Sequence, residues 1–398
     1  MPRATTAPVT TDGHDVGAEL VDKAKALIPL LVSNADRVEI ERRLPDENLD
    51  ALAEAGLLRT LMPRRLGGHE QPLKVQVDIC AELARGCAST AWVAMIMSSG
   101  AWIVGRLGRA AQEDVFGPSA DARICGVLTP SAQIERVVGG LRVSGRWGFC
   151  SGSLHADWFL LATPETAETA PGLCLVPASE VEVEDTWFTM GMRGTGSNTV
   201  VAKDVLVPEH RFAAMPDIVD GPLGCHPAET LYRSEFGPAT VVFLVGPLLG
   251  MAQAAFDHVV AKAGTRGLTY TSYGRQSAAP VVQLALARAA QLINTAQLQV
   301  DQTLAEIAEA AGAGTHLDYT ERARARFAVA GAAQRSVEAV RTVIAAHGSA
   351  AYAETSVLQR ILRDAETAAS HALLNADIGA EIYGRALLGV TEPISLFV

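Results

Sequence analysis

The sequence predicts a three-part fold: an all-helical N-terminal domain, a middle antiparallel β-sandwich or barrel, and a C-terminal four-helix bundle. Three observations predict it. Apolar residues recur at helical spacing from Val16 to about residue 118, between about 120 and 215 the pattern shortens to strand-like runs cut by turn residues, and from Glu229 long alanine-rich helical patterns return. At 398 residues the chain is too long for one small core. The expected boundaries are a disordered tail at 1–15, helices over 16–118, a β-domain over 119–215 and the bundle over 216–398.

In the first part, Leu20, Ala24, Leu27 and Leu31 share a helix face while Asp22, Lys23 and Lys25 point elsewhere, which predicts one helix over Val16–Arg43. Pro45-Asp46-Glu47 opens a second helix that Gly56 stops, and Leu66-Gly67-Gly68 is a turn before helices at Val75–Gly86 and from Ala88. The strand candidates are Ile124–Leu128, Gly140–Val143, Trp158–Ala162, Gly172–Pro177, Val181–Asp185 and Thr199–Val207, with Gly139-Gly140 as a hairpin signal. The bundle is predicted as four helices, about 229–263, 276–313, 318–347 and 356–384.

Composition excludes several classes. A formal charge of −11 leaves no basic stripe for nucleic-acid phosphates or an anionic membrane surface. Ala88–Val104 is uncharged but short for a span and interrupted by Ser98-Ser99-Gly100, which predicts a buried core helix. Six scattered cysteines without a CxxC pair, and no apolar signal segment after Met1, point to the cytoplasm. The nine histidines are dispersed, and no Walker A, HExxH or GxSxG occurs. The glycine-rich Gly191–Asn198 segment lacks the third glycine of GxGxxG and leads into a strand, so it is no dinucleotide loop.

The segment Ser144-Gly-Arg-Trp-Gly-Phe-Cys-Ser-Gly-Ser-Leu-His-Ala-Asp-Trp158 carries the chemistry. Its glycines permit close approach to something flat, and Cys150-Ser151-Gly152-Ser153 presents hydroxyls and N–H groups at a strand end. His371 stands in an alanine-rich helical stretch, where it is either packing or a general base facing an apolar pocket.

Five segments then carry a resemblance to the acyl-CoA dehydrogenase superfamily. They are Ala84-Arg-Gly-Cys-Ala-Ser-Thr-Ala-Trp92, Ser144–Gly152, Gly191-Met-Arg-Gly-Thr-Gly-Ser-Asn198, Asp204-Val-Leu-Val-Pro-Glu-His210, and Arg360-Ile-Leu-Arg-Asp364 followed by His371. Within the superfamily the chain resembles the two-component flavin-dependent monooxygenases, similar to phenol and 4-hydroxyphenylacetate hydroxylase oxygenase components. The resemblance implies reduced FMN or FADH2 from a separate NAD(P)H:flavin reductase, molecular oxygen, a C4a-hydroperoxyflavin and an aromatic, phenolic or polyketide-type substrate. The missing adenine motif leans the choice toward FMN.

It also implies roles for residues. Trp92 closes over the flavin, Val127, Leu128 and Thr129 form a first contacting strand, and Phe149, Cys150 and Ser151 form a second, with Ser151 accepting from flavin N5–H. Trp147 would wall the ring or belong to the core. Arg266 and Thr269 reach the flavin phosphate of a neighbouring subunit, which implies a homotetramer, and Ser349 and Ala350 contact that flavin from the bundle. His371 is the catalytic base that raises the phenolate. Candidate substrate-pocket walls are Leu57–Met62, Met95, Met97 and Phe236–Leu244. Where several dehydrogenases place a catalytic glutamate, this chain has Ala372. The rival activities are N-oxygenation of an amino group and acyl-CoA dehydrogenation.

Overall fold

The computed structural model describes residues 15–221, 223–226 and 228–398, so the tail expected at 1–15 lies outside it except for Asp15. Six helices form the N-terminal part: α1 Val16–Ala26, α2 Ile28–Glu41, α3 Asp46–Glu54, α4 Leu73–Ala84, α5 Ala88–Arg106 and α6 Arg109–Phe116. The single helix expected over Val16–Arg43 is two. Pro29 in the first turn of α2 has no N–H to continue α1, and Leu27 caps both. Gly56, at φ +76°, ends the third-helix region as expected.

Eight strands follow: β1 Ile124–Val127, β2 Ala132–Val137, β3 Gly140–Cys150, β4 Trp158–Thr163, β5 Gly172–Pro177, β6 Glu182–Glu184, β7 Asn198–Pro208 and β8 Phe212–Ala214. They make two four-stranded sheets, ordered β1-β4-β5-β8 and β2-β3-β7-β6. The sheets are antiparallel except that β1 runs parallel to β4, with Ile124 opposite Trp158. The chain leaves β1 for the other sheet, makes the β2–β3 hairpin there, and returns to β4 in its original direction.

Seven helices complete the chain: α7 Met215–Asp220, α8 Phe236–Phe243, α9 Gly246–Ala263, α10 Pro280–Ala313, α11 Tyr319–His347, α12 Val357–Ala369 and α13 Ala376–Leu387. Two expected helices are each interrupted. Pro247 in the first turn of α9 separates it from α8. The 356–384 stretch breaks between Ala369 and Ala376, where the His371 and Asn375 side chains cap a short turn and α13.

The apolar α5 is the core around which these parts pack. It and Phe236–Ala263 are long and apolar enough to cross a membrane, yet 89% and 78% of their apolar windows are buried within the fold. Glycines let α5 approach its neighbours: a Cβ on Gly100 would meet Ile124 O at 2.5 Å, and one on Gly105 would meet the Tyr232 ring at 2.5 Å. Arg106, at its end, is buried and donates to the carbonyls of Ile218, Tyr232 and Ser234 at 2.9, 2.8 and 3.2 Å. Burial lowers its pKa to about 10, which leaves it cationic at neutral pH.

The loop from Gly191 to Asn198 is wedged between the N-terminal helices and α12. A Cβ on Gly191 would sit 2.0 Å from Arg363 O, and one on Gly194 would sit 2.0 Å from Val38 Cγ1. Gly191→Ala is therefore expected to destabilise the fold by about 1–3 kcal/mol, measured by urea denaturation. Gly312→Ala, where nothing lies within 4 Å, should leave stability unchanged or slightly raised.

Candidate functional site

The site is built where α5 meets the end of β3. The β3–β7 register shifts between Trp147 and Cys150, and Phe149 adopts φ +63° there. The chain then turns through Gly152, at φ +77°, where a Cβ would stand 2.8 Å from Cys125 Sγ and 3.2 Å from Val93 Cγ1. Only glycine fits so close to β1 and α5. The turn delivers Ser151, 7% exposed, to Trp92, 6% exposed, and the indole Nε1–H donates to Ser151 Oγ at 3.1 Å.

Ser151 begins a chain of hydroxyls whose direction is fixed by its far end. Thr195 Oγ1 lies 2.8 Å from Met192 O, and since a carbonyl only accepts, Thr195 donates its single hydrogen there. The 2.6 Å contact between Thr195 and Ser197 must then use the Ser197 hydrogen. The 2.8 Å contact between Ser197 and Ser151 must use that of Ser151. Ser151 Oγ thus accepts from Trp92, donates to Ser197 and keeps one lone pair for another donor.

The loop bearing these hydroxyls is anchored by Asp364 on α12, whose Oδ1 accepts from Met192 N at 2.5 Å. Burial raises the Asp364 pKa to about 6, against the opposing backbone hydrogen bond. Arg363 pairs with Glu39 at 2.6 Å, and Arg193 Nε donates to Glu39 O at 3.1 Å, which ties the same loop to α2.

His371, two residues past α12, stands with its ring centroid 6.0 Å from that of Trp92, tilted by 55°. Trp92 therefore touches both Ser151 and His371, and the two lie on one side of the molecule. The imidazole is exposed at the surface, while protein packs close around it. This desolvation lowers its pKa to about 4, so the ring is neutral near pH 7. Its Nδ1 accepts from Leu373 N at 3.2 Å, which puts the proton of the neutral ring on Nε2. This geometry favours a different role from the general base expected. Nε2 already holds a proton, and a nitrogen of pKa about 4 takes one from a phenol poorly. His371 is placed to donate a hydrogen bond.

The other expected site residues divide. Val127 and Leu128 are half-buried and Thr129 is exposed, at the end of the strand that packs on α5. Phe149 is 79% exposed and meets Trp187 edge-on at 5.9 Å. Leu154, Phe188 and Met190 are likewise exposed apolar side chains. Trp147 is fully buried between the sheets, its indole donating to Ala162 O at 2.8 Å, so it belongs to the core and walls no ligand. Cys150 is likewise buried, its thiol pushed up to about 12. Of the candidate pocket walls, Met97 packs beneath Gly152, while Leu57, Leu61, Met62, Met95 and Phe236 are core.

Arg266, Ser349 and Ala350 lie elsewhere, around the end of α11, and Thr269 is an exposed residue of the loop that follows Arg266. There Arg266, His258 and Lys262 lower the His347 pKa after burial itself, and the His258 and His347 rings lie 6.0 Å apart. His347 Nδ1 and Gln276 Oε1 are buried without a hydrogen-bond partner. Ser349 precedes α12 and His371 follows it, so this 13-residue helix sets the two clusters roughly 20 Å apart.

Comparison with known proteins agrees with this architecture. Residues 19–120 match the acyl-CoA dehydrogenase N-terminal domain and residues 242–376 the acyl-CoA dehydrogenase C-terminal domain. A flavin-dependent monooxygenase oxygenase subunit, HsaA, of Rhodococcus jostii is 31% identical over 93% of this chain and 98% of its own. The oxygenase component of an FADH2-dependent resorcinol hydroxylase of Rhizobium is 31% identical over 97% of each. The structure of XiaF from Streptomyces with FADH2 and glycerol superposes with a TM-score of 0.91 at 34% identity, covering 96% of this chain and 97% of that one. The fold and its helical surrounds thus define an acyl-CoA dehydrogenase-type flavoprotein. Within that superfamily, the chain belongs to the flavin-dependent monooxygenases.

Sequence reasoning assigned no role to Thr195, Ser197 or Asp364, although all three lie in segments that carried the resemblance. The usable signal was two hydroxyl residues flanking Gly196 in a loop that must lie against something.

Since the folded pKa of His371 lies below the 6.5 of a free imidazole, the neutral form persists as pH falls and is lost only near pH 4. Between those values the unfolded chain binds the extra proton, so this group lowers stability as pH falls. Ring NMR of His371 should show a midpoint below pH 5; a midpoint near 6.5 would contradict the desolvated, neutral ring.

Proposed function

We propose that the chain is the oxygenase component of a two-component hydroxylase. It takes reduced flavin from a separate NAD(P)H:flavin reductase and hydroxylates a phenolic or other electron-rich aromatic ring. One observation carries this: Trp92 brings together Ser151, with a hydrogen-free lone pair, and His371, with a free Nε2–H.

The residues fit a dihydroflavin. Ser151 Oγ offers an acceptor to N5–H, Trp92 suits the ring system, and Arg266 with Lys262 supplies positive charge for phosphate. The resorcinol hydroxylase and XiaF are named with FADH2, and more distant neighbours of the same fold are named with FMN. When bound, the reduced flavin supplies the electrons that activate dioxygen. The protein's part is to shield the site from water with Trp92, hold N5–H at Ser151 Oγ, and donate from His371 Nε2 to the substrate oxygen. That last bond stabilises a phenolate, whose ring is the more electron-rich and the readier to attack an electrophilic oxygen.

The homotetramer belongs to the same reading. Arg266 and Ser349 lie at the opposite end of α12 from His371, which suits them to a flavin seated in a neighbouring subunit. Val281, Leu284 and Leu298 are apolar side chains left exposed on α10 that such a neighbour would cover. The cytoplasm is the compartment this reading assigns, which scattered free thiols suit.

The test is oxygen-dependent turnover with anaerobically reduced FAD over a panel of phenols, naphthols and amines. Wild type should hydroxylate a phenol. His371→Ala should lose about 10- to 100-fold in product formation with flavin affinity kept, and Ser151→Ala should divert oxygen to hydrogen peroxide. Unchanged yield and coupling in both variants would remove their assigned roles, and product only from amines would move the substrate class.

A further inference from the structure

We infer that Thr195 and Ser197 are positioning residues that make the site select reduced over oxidised flavin, by fixing which way the Ser151 hydroxyl points. This inference rests on the flavin reading above and extends it to the two hydroxyl residues that stand behind Ser151.

The argument is one of hydrogen counting. Each hydroxyl has one hydrogen to give. Met192 O takes that of Thr195, Thr195 takes that of Ser197, and Ser197 takes that of Ser151, across contacts of 2.8, 2.6 and 2.8 Å. All three side chains are buried, at 2%, 5% and 7% exposure, so bulk water does not readily supply substitute partners. The indole N–H of Trp92 arrives at Ser151 Oγ from the other side. Reversing Ser151 would require reversing Ser197 and then Thr195, which would leave Met192 O without the Thr195 donor. The polarity is therefore set at Met192. That residue is held in turn by its own N–H to Asp364, and its carbonyl also accepts from Trp187 Nε1 at 2.9 Å.

The chemical consequence follows from the two redox states of a flavin. At N5 a dihydroflavin carries N–H, a donor, whereas the oxidised ring carries a bare lone pair, an acceptor. Ser151, its hydrogen already committed, complements the first and repels the second. A free serine would rotate to serve either. The chain thus turns an indifferent hydroxyl into a one-sided acceptor, and the site that accepts reduced flavin lets it go once oxidised.

The experiment is an anaerobic titration of FADH2 by absorbance and a matching titration of FAD by flavin fluorescence, on wild type and three variants. Ser197→Ala frees the Ser151 hydrogen and should tighten FAD binding about tenfold, with FADH2 little changed, so the ratio of the two Kd values narrows by that factor. Thr195→Val should shift the ratio in the same direction, and Thr195→Ser, which keeps the donor to Met192 O, should retain the wild-type ratio. A Ser197→Ala ratio equal to that of wild type, or a parallel weakening of both forms, would overturn this inference and leave the flavin reading intact. A wild type that binds neither form would overturn both.

Discussion

The hydrogen bond from Trp92 to Ser151 is the constraint on which the site depends. It joins the most buried helix of the molecule to the end of a bulged strand. That contact forms only because Gly152 lets the turn press against Val93 and Cys125. It also needs the loop of Gly191–Asn198 to lie flat against α2 and α12, which requires glycine at 191 and 194. Backbone positions too crowded for a side chain thus surround a small set of aligned hydroxyls. Rigid packing fixes the polar geometry, as a site needs if it is to meet its ligand already organised.

The same packing explains how helix α12 serves two purposes. Asp364 holds the hydroxyl loop through Met192, and the end of the helix releases the chain so that His371 faces Trp92. At its other end, Ser349 and Ala350 stand with the basic group around His347. A single 13-residue helix therefore separates the Trp92–Ser151–His371 cluster from the basic group around His347. The proposed homotetramer would use that spacing, with neighbouring copies completing each other's sites.

The order of helical, strand-rich and helical parts was legible because periodicity is a local property of the sequence. So were the strands with apolar runs, such as Gly172–Pro177. Ala132–Val137 was missed, since an edge strand alternating Gln133, Glu135 and Arg136 with apolar residues looks like loop. The β1–β4 parallel pair was hidden because pairing is decided by where the chain returns, not by what either strand contains. Trp147 and Phe149 share strand parity, and only the bulge between them sends one into the core and the other to the surface. At the site, Ser151 and His371 were legible through resemblance. The roles of Ser197 and Thr195 were not, because a hydroxyl's direction depends on a partner 46 residues away and on a carbonyl beyond it. The capping bond at His371 Nδ1 was equally invisible while that residue was taken to lie within a continuous helix.

A crystal structure grown anaerobically with FADH2 tests the proposed site most directly. The expected result is an isoalloxazine ring beside Trp92, with N5 about 3 Å from Ser151 Oγ and His371 Nε2 facing the space left for substrate. A ring bound away from Trp92, with Ser151 still sealed behind protein, would contradict it.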